Sequence, residues 1–202
     1  MHENQSKCHI WGNLKEKEFI DQLRDLLTDD SDRKILIRGY FNQDKLTAVL
    51  KSLNKSDKMN RGKFVVSSIG DVPRLFKGSF SNGKFPKVKQ SETFDVAGLR
   101  LKFEKRNKIK DHNYSYKEDF VSFFPVETLL FIEKDTNIFI SQLQNQTTPK
   151  VLVITTNDYS RKAEKLYPYV SDVLILDTND EHKETYDTLK RNIESKGKEM
   201  PY

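Results

Sequence analysis

Two segments of this chain share one plan, and that plan restricts the fold more than any other feature. Residues 35–53 read ILIRGYFNQDKLTAVLKSL, and residues 151–170 read VLVITTNDYSRKAEKLYPYV. Each is an apolar strand, an Asn/Asp turn and an amphipathic helix. Each is followed by a further apolar strand, Phe64-Val65-Val66 in the first case and Val173-Leu174-Ile175-Leu176 in the second. Strands that alternate with helices pair in parallel and are joined by right-handed crossovers. Every βαβ unit shares this plan. A duplicated half with pseudo-two-fold symmetry is the sharper alternative.

The helical periods are legible on both sides. A first helix is expected from about Leu14 to Leu27, because Phe19, Ile20, Leu23, Leu26 and Leu27 fall on one face at 3.6 residues per turn. Asn13 is its expected N-cap, since its side-chain oxygen can accept from a free backbone amide. Trp11 is expected to anchor the first strand to the core. A second helix carries Leu46, Val49, Leu50 and Leu53 on one side. In the C-terminal third, Asp135 is placed to cap a helix bearing Ile138, Phe139 and Leu143. Asn157-Asp158 turns into a helix with Ala163, Leu166 and Tyr167, and Asp177-Thr178-Asn179-Asp180 opens a final helix with Tyr186, Leu189 and Ile193. Residues 196–202 read as a frayed tail. The fold class is therefore α/β: a mainly parallel sheet flanked by helices, with Rossmann-like βαβ units in both halves. The 202 residues fit one domain, which at this length buries about 70% of its unfolded surface without staples.

Between the halves the period changes to two. Phe94/Val96 and Leu99/Leu101/Phe103 alternate with polar residues, as half-buried antiparallel strands do. Asn82-Gly83 is a strong hairpin signal, because both residues tolerate positive φ. Residues 74–118 thus read as a β-rich insertion within the domain. Residues 120–132 return to the main core, with Pro125 closing a short strand.

The insertion is basic and aromatic. From Arg74 to Lys117 twelve Lys/Arg face four acids, a local charge of +8 against +5 for the whole chain. Phe76, Phe80, Phe85, Phe94, Phe103, Tyr114 and Tyr116 lie among them. Such a mixture suits a polyanion with stackable bases: cations neutralise phosphates, and exposed rings add roughly 1–3 kcal/mol per stacked base. The expected contact residues are Lys84, Lys87, Lys89, Arg100, Lys102, Lys105, Arg106 and Lys108. The lysines would neutralise phosphate, and the arginines would touch phosphate or base edges. An acidic protein partner fits the same charge, and a solvated surface with edge-strand lysines is the plain alternative.

Other classes are narrowed by what the sequence lacks. Cys8 is the only cysteine, so no internal disulfide or Cys-based zinc site can form, which favours a reducing compartment. No apolar run follows the N-terminal residues and none approaches about 20 residues, so neither a signal peptide nor a membrane span is expected, and a cytoplasmic location is. No Gly-x-Gly-x-x-Gly or Gly-x-x-x-x-Gly-Lys-Ser/Thr cradle is present, and no cofactor is expected.

Catalytic candidates form a second reading, a divergent metal-dependent nuclease or phosphoryl-transfer enzyme; a non-catalytic interaction subunit is a third. Asp95 and Glu104, followed by Lys105-Arg106, loosely resemble the PD-(D/E)xK nucleases. They depart from that pattern because no Pro precedes Asp95, and Arg106 stands where the motif has Lys. Gly78-Ser79-Phe80-Ser81-Asn82 resembles the tail of phospholipase-D-type motifs. None of the four histidines has the Lys two residues on that the nucleophile of that family requires, so the stretch reads as a turn. Asp158 and Asp177 are expected at the carboxyl ends of parallel strands, where open α/β sheets bind ligands. There they would hold Mg²⁺ if the enzyme reading holds, or cap helices if it does not. His112, in a basic Tyr-rich stretch, is the one histidine placed for acid/base work.

Overall fold

Right-handed crossovers fix the face on which each helix lies, and this chain reverses its direction of travel once. The computed structural model describes residues 8–77, 87–90, 92–106, 118–156 and 158–202. Its strands are β1 (His9–Leu14), β2 (Arg33–Arg38), β3 (Arg61–Val66), β4 (Thr93–Val96), β5 (Leu99–Lys105), β6 (Phe120–Phe123), β7 (Lys150–Ile154) and β8 (Asp172–Leu176). They form one sheet in the order β1-β8-β2-β7-β6-β3-β5-β4. Every neighbouring pair is parallel except β4–β5, which is antiparallel. The mainly parallel α/β sheet with a central antiparallel pair is the class expected.

Helices α1 (Glu16–Thr28), α2 (Asn42–Asn54) and α3 (Val72–Phe76) form on the outward journey. Their apolar residues share one core with Ile35, Ile37, Phe64, Leu101 and Phe103. Helices α4 (Glu127–Leu130) and α5 (Glu133–Gln144), with the 3-10 segment Arg161–Tyr169, form on the return. They pack on the opposite face with Leu36, Val65, Val121, Val153 and Val173. Helix α6 (Lys183–Glu194) follows β8 and has no buried residue. Among the described residues no helix is long and apolar enough to cross a membrane.

The first core is built on rings. Phe64 meets Phe76 at 5.2 Å and Phe120 at 6.3 Å, both edge-on. All three are fully buried, and each such ring contributes roughly 2–3 kcal/mol. Gly62 makes this arrangement feasible, since a Cβ there would stand 2.0 Å from the Phe120 ring.

The two similar segments lie side by side, with β2 and β7 in register and Leu36 opposite Val153. Their crossovers leave on opposite faces. The likeness stops there: the chain leaving β2 passes two strands to reach β3, whereas that leaving β7 passes one to reach β8.

Four local expectations change. Helix α5 starts earlier than expected, with Ile132 at the N-cap position and Asp135 inside its first turn. Helix α1 starts later than expected, with Lys15 at the N-cap position; Asn13 instead stays within β1 at φ 53, where the register against β8 shifts. The helix expected after Asp158 is a 3-10 segment, capped by the Ser160 hydroxyl, which accepts from the Lys162 amide. The tail does not simply fray. Residues 196–199 are exposed, but Pro201 is buried and Tyr202 packs against Tyr40. Stacking and hydrogen bonding of one tyrosine there offset the entropy of an end that polarity alone would leave loose. The Asn82-Gly83 turn lies outside the described residues.

Candidate functional site

The carboxyl ends of the central strands converge on a buried polar cluster. Arg38 ends β2 with its side chain withdrawn from solvent. Its Nε donates to Asp158 Oδ2 at 2.7 Å and its Nη2 to Oδ1 at 3.1 Å, a bidentate fork. Nη1 donates to the Tyr167 hydroxyl at 2.6 Å, and Nη2 also reaches the Ser160 carbonyl at 3.3 Å. The guanidinium lies 4.8 Å over the Tyr202 ring. Burial works against its charge, but the hydrogen bond and charge of Asp158 outweigh this and hold it above its ordinary basicity. Tyr202 donates to Asp158 Oδ2 at 3.2 Å, and Tyr40 donates to the Tyr202 carbonyl at 2.5 Å. Burial, then the negative Asp158, holds the Tyr202 phenol well above its usual range.

Lys45 enters the same edge from α2. Its Nζ donates to the Gly39 carbonyl at 2.5 Å and to Thr155 Oγ1 at 3.2 Å. Gly39, at φ +146, leaves room: a Cβ there would stand 2.8 Å from the Leu176 carbonyl and 3.3 Å from the Lys45 stem. Among the described residues no carboxylate reaches ion-pair distance of Nζ. Burial pulls the ammonium down to about 8, against the charges of Glu127 and Asp158.

Glu127, in the first turn of α4, is the acidic counterpart. Its Oε2 accepts from Thr156 Oγ1 at 2.7 Å, while its Oε1 is buried without a partner. Burial pushes it up to about 7, with Lys45's charge and the Thr156 hydroxyl pulling the other way. Lys45 and Glu127 are thus both driven toward their neutral forms by the same dry surroundings. A carboxyl that ionises near neutrality can give or take a proton at that edge.

Beyond β6 the edge opens into a cleft of about 420 Å³, lined among others by Ser67, Lys105, Arg106, Leu129, Asp135 and Phe139. Arg106 donates its backbone N–H to the Val66 carbonyl at 2.7 Å, which fixes it at the end of β5. Its Nη1 is buried without a partner. Burial lowers its basicity, opposed by the charges of Asp135 and Glu127.

A second polar surface lies on the β3–β5 portion of the sheet. Strand β5 alternates as expected: Leu99, Leu101 and Phe103 are buried, and Arg100, Lys102 and Glu104 face the other way. Parallel pairing sets Arg61 beside Arg100 and Lys63 beside Lys102. Two like-charge pairs therefore stand in succession on one face. Glu104 meets Lys63 at 2.8 Å and Glu118 meets Lys102 at 3.3 Å. Among the described residues no acid lies within ion-pair distance of Arg61 or Arg100. Both are exposed and border a shallow pocket with Thr93 and Lys102.

The cations expected to contact nucleic acid divide into groups. Arg100 and Lys102 are on the sheet face. Lys105 is exposed at the strand end, one step out of phase, and Arg106 turns into the cleft. Lys87 and Lys89 are exposed before β4, with Lys89 paired to Glu92 at 3.3 Å. Lys84, Lys108 and His112 lie outside the described residues.

The catalytic candidates do not assemble. Asp95 is exposed, in register with Arg100 and not with Glu104, and Lys63 engages Glu104. Asp158 is held by Arg38, and Asp177 by Lys15 at 3.0 Å. Among the described residues no three His, Cys, Asp or Glu side chains converge as metal ligands.

Five residues escaped sequence reasoning: Arg38, Lys45, Arg61, Lys63 and Glu127. Arg38 and Lys45 did carry a signal. The first closes an apolar strand, and the second falls on the inward stripe of α2, four residues before Val49. No family model matches the chain, and no curated protein matches it either.

Proposed function

We propose that the protein binds nucleic acid through the β3–β5 sheet face, with the exposed Arg61 and Arg100 at its centre, Lys102 beside them and the buried Lys63 adding charge beneath. The observation that carries this reading is the succession of like-charge neighbours, Arg61/Arg100 and Lys63/Lys102, on paired strands. Like charges side by side in a sheet repel and cost stability. Protection of an edge does not account for them, because β3 and β5 are both interior strands and β4 is the edge. A phosphate backbone laid along the face relieves the repulsion and releases counterions. Glu104 and Glu118 already hold one cation each, so the arginines supply most of the attraction.

Fluorescence anisotropy with a labelled mixed-sequence duplex and single strand, across a salt series, tests the proposal. Binding should weaken steeply with salt. The double variant Arg61→Glu/Arg100→Glu, at exposed positions, should lower affinity about 10-fold or more and reduce the salt slope by roughly two phosphate contacts. Absence of binding at low salt, or an unchanged slope in the variant, refutes it.

A further inference from the structure

We propose that the cleft between the carboxyl ends of β3 and β5 and helix α5 is a site for a small organic anion. The ligand would carry a carboxylate or phosphate on an apolar body, with Arg106 and Lys105 holding the charge. This is independent of the sheet-face reading and concerns different residues.

Three observations converge. Arg106 Nη1 is removed from solvent yet has no partner among the described residues, a state that costs free energy until an acceptor arrives. Asp135 borders the same cleft, and its charge favours the guanidinium, but it forms no ion pair with it. An anion entering beside Lys105 gives Nη1 its missing acceptor. Leu129, Ile138 and Phe139 give the same cleft apolar lining, alongside the polar Thr128 and Gln142. The lining therefore offers both a charged contact and apolar surface to one ligand. Its volume of about 420 Å³ suits a small molecule, and a polymer would not enter it.

Position supports the same conclusion. Ser67 follows β3 and Arg106 follows β5, so the cleft lies at the carboxyl edge of parallel strands, where such sheets bind ligands. Glu127 acts on Arg106 through its charge, and its own burial favours the neutral acid. The local balance therefore stays positive, with Lys105 and Arg106 set against Asp135.

The test uses benzoate and phenyl phosphate as the two anionic probes and benzyl alcohol as the neutral control. Binding is followed on the full chain by NMR titration of the backbone amides of Ser67, Arg106 and Leu129. At least one anion should shift these amides at concentrations up to about 10 mM, which covers a millimolar Kd, and the alcohol should not. The anion that binds more tightly identifies the headgroup. Arg106→Gln should weaken binding roughly 10-fold, and Arg106→Lys should restore part of the loss. Asp135→Asn, which removes the competing carboxylate, should tighten it several-fold and gives a readout even if Arg106→Gln does not fold. Silence toward both anions overturns the proposal. Equal binding of the alcohol, unchanged affinity in a folded Arg106→Gln, or unchanged affinity in Asp135→Asn also overturns it.

Discussion

The two ends of the central strands are built from the same kinds of residue and treat charge in opposite ways. At the amino ends, Arg33 opens β2, Lys150 opens β7 and Asp172 opens β8, and Asp29 joins them from the end of α1. Every one of these charges is engaged: Arg33 with Asp29 at 2.5 Å and Asp172 at 2.9 Å, and Lys150 with Asp29 at 2.6 Å and the Ser31 carbonyl at 2.6 Å. At the carboxyl ends, Arg38 and Asp158 are equally well paired. Around them, however, Lys45 lacks a carboxylate in contact, and Glu127 and Arg106 each keep a buried atom without a partner. A closed ring of charges is sufficient as a fastening. Unmet donors and acceptors in a dry setting cost stability, and such costs persist where a ligand or a proton uses them.

The largest effect should come from opening the buried Arg38–Asp158 pair at the carboxyl end. Asp158→Ala leaves a guanidinium without access to water facing, among the described acids, only Glu164, 3.9 Å from Nη1, and should cost about 3–5 kcal/mol in urea unfolding. Replacing both partners, Arg38→Met with Asp158→Leu, should recover most of it. The matching cut at the amino end, Asp172→Ala, should cost less, because Arg33 retains Asp29 and reaches solvent. Equal losses at the two ends would remove the contrast.

Next in size is the titration of Glu127. Its carboxyl ionises at about 7 in the folded chain, mainly through burial, against an ordinary value of about 4.3. Between those values the folded state holds a proton that the unfolded state has released. Stability therefore falls as pH rises from about 4.5 to 7. Glu127→Gln should abolish that slope, leaving stability unchanged near pH 4 and higher than wild type by about 1–3 kcal/mol at pH 8. Lys45 and Arg106, whose basicity burial lowers, supply no slope of this sign in that window. Denaturant midpoints across pH measure it, and a flat difference between variant and wild type would show that Glu127 ionises alike in the folded and unfolded chain.

How much of this contrast is legible in the sequence follows from range. The strands, the parallel class and the apolar faces of α1 and α2 rest on local period, and they read directly. So does the outward row Arg100, Lys102, Glu104, because strand alternation needs no partner. Arg61 and Lys63 do not read, because only the pairing of β3 with β5 brings them beside that row, across the whole of α3 and β4. Asp158 reads as a helix cap until the register of β2 against β7 brings Arg38 to it. Glu127 follows a proline in an otherwise apolar stretch and resembles any first-turn acid; only the fold brings the Thr156 hydroxyl and the Lys45 charge to it. Tyr202 is the plainest case. A polar, charged run precedes it, and only the tertiary position of Tyr40 makes its ring worth ordering.

The smallest effect belongs to the amino end and has the opposite sign. Burial alone would raise the Asp29 carboxyl, but hydrogen bonds from Arg33 and Lys150, with their charges, hold it at about 2. The unfolded state takes up its proton first as pH falls, so this stabilisation is complete above about pH 4 and is lost toward pH 2. Asp29 is about a third exposed, so solvent screening reduces the contribution to about 1–2 kcal/mol. Asp29→Asn should be less stable than wild type by that amount at neutral pH and should converge with it near pH 2. One pH series thus separates the ends of the sheet: a slope that rises with pH below 4 belongs to the closed ring, and one that falls with pH above 4.5 belongs to the open edge. If Asn at 29 removed the second slope as well as the first, the two ends would be coupled through β2 and β7, and the carboxyl edge could no longer be treated as a separate site on a rigid frame.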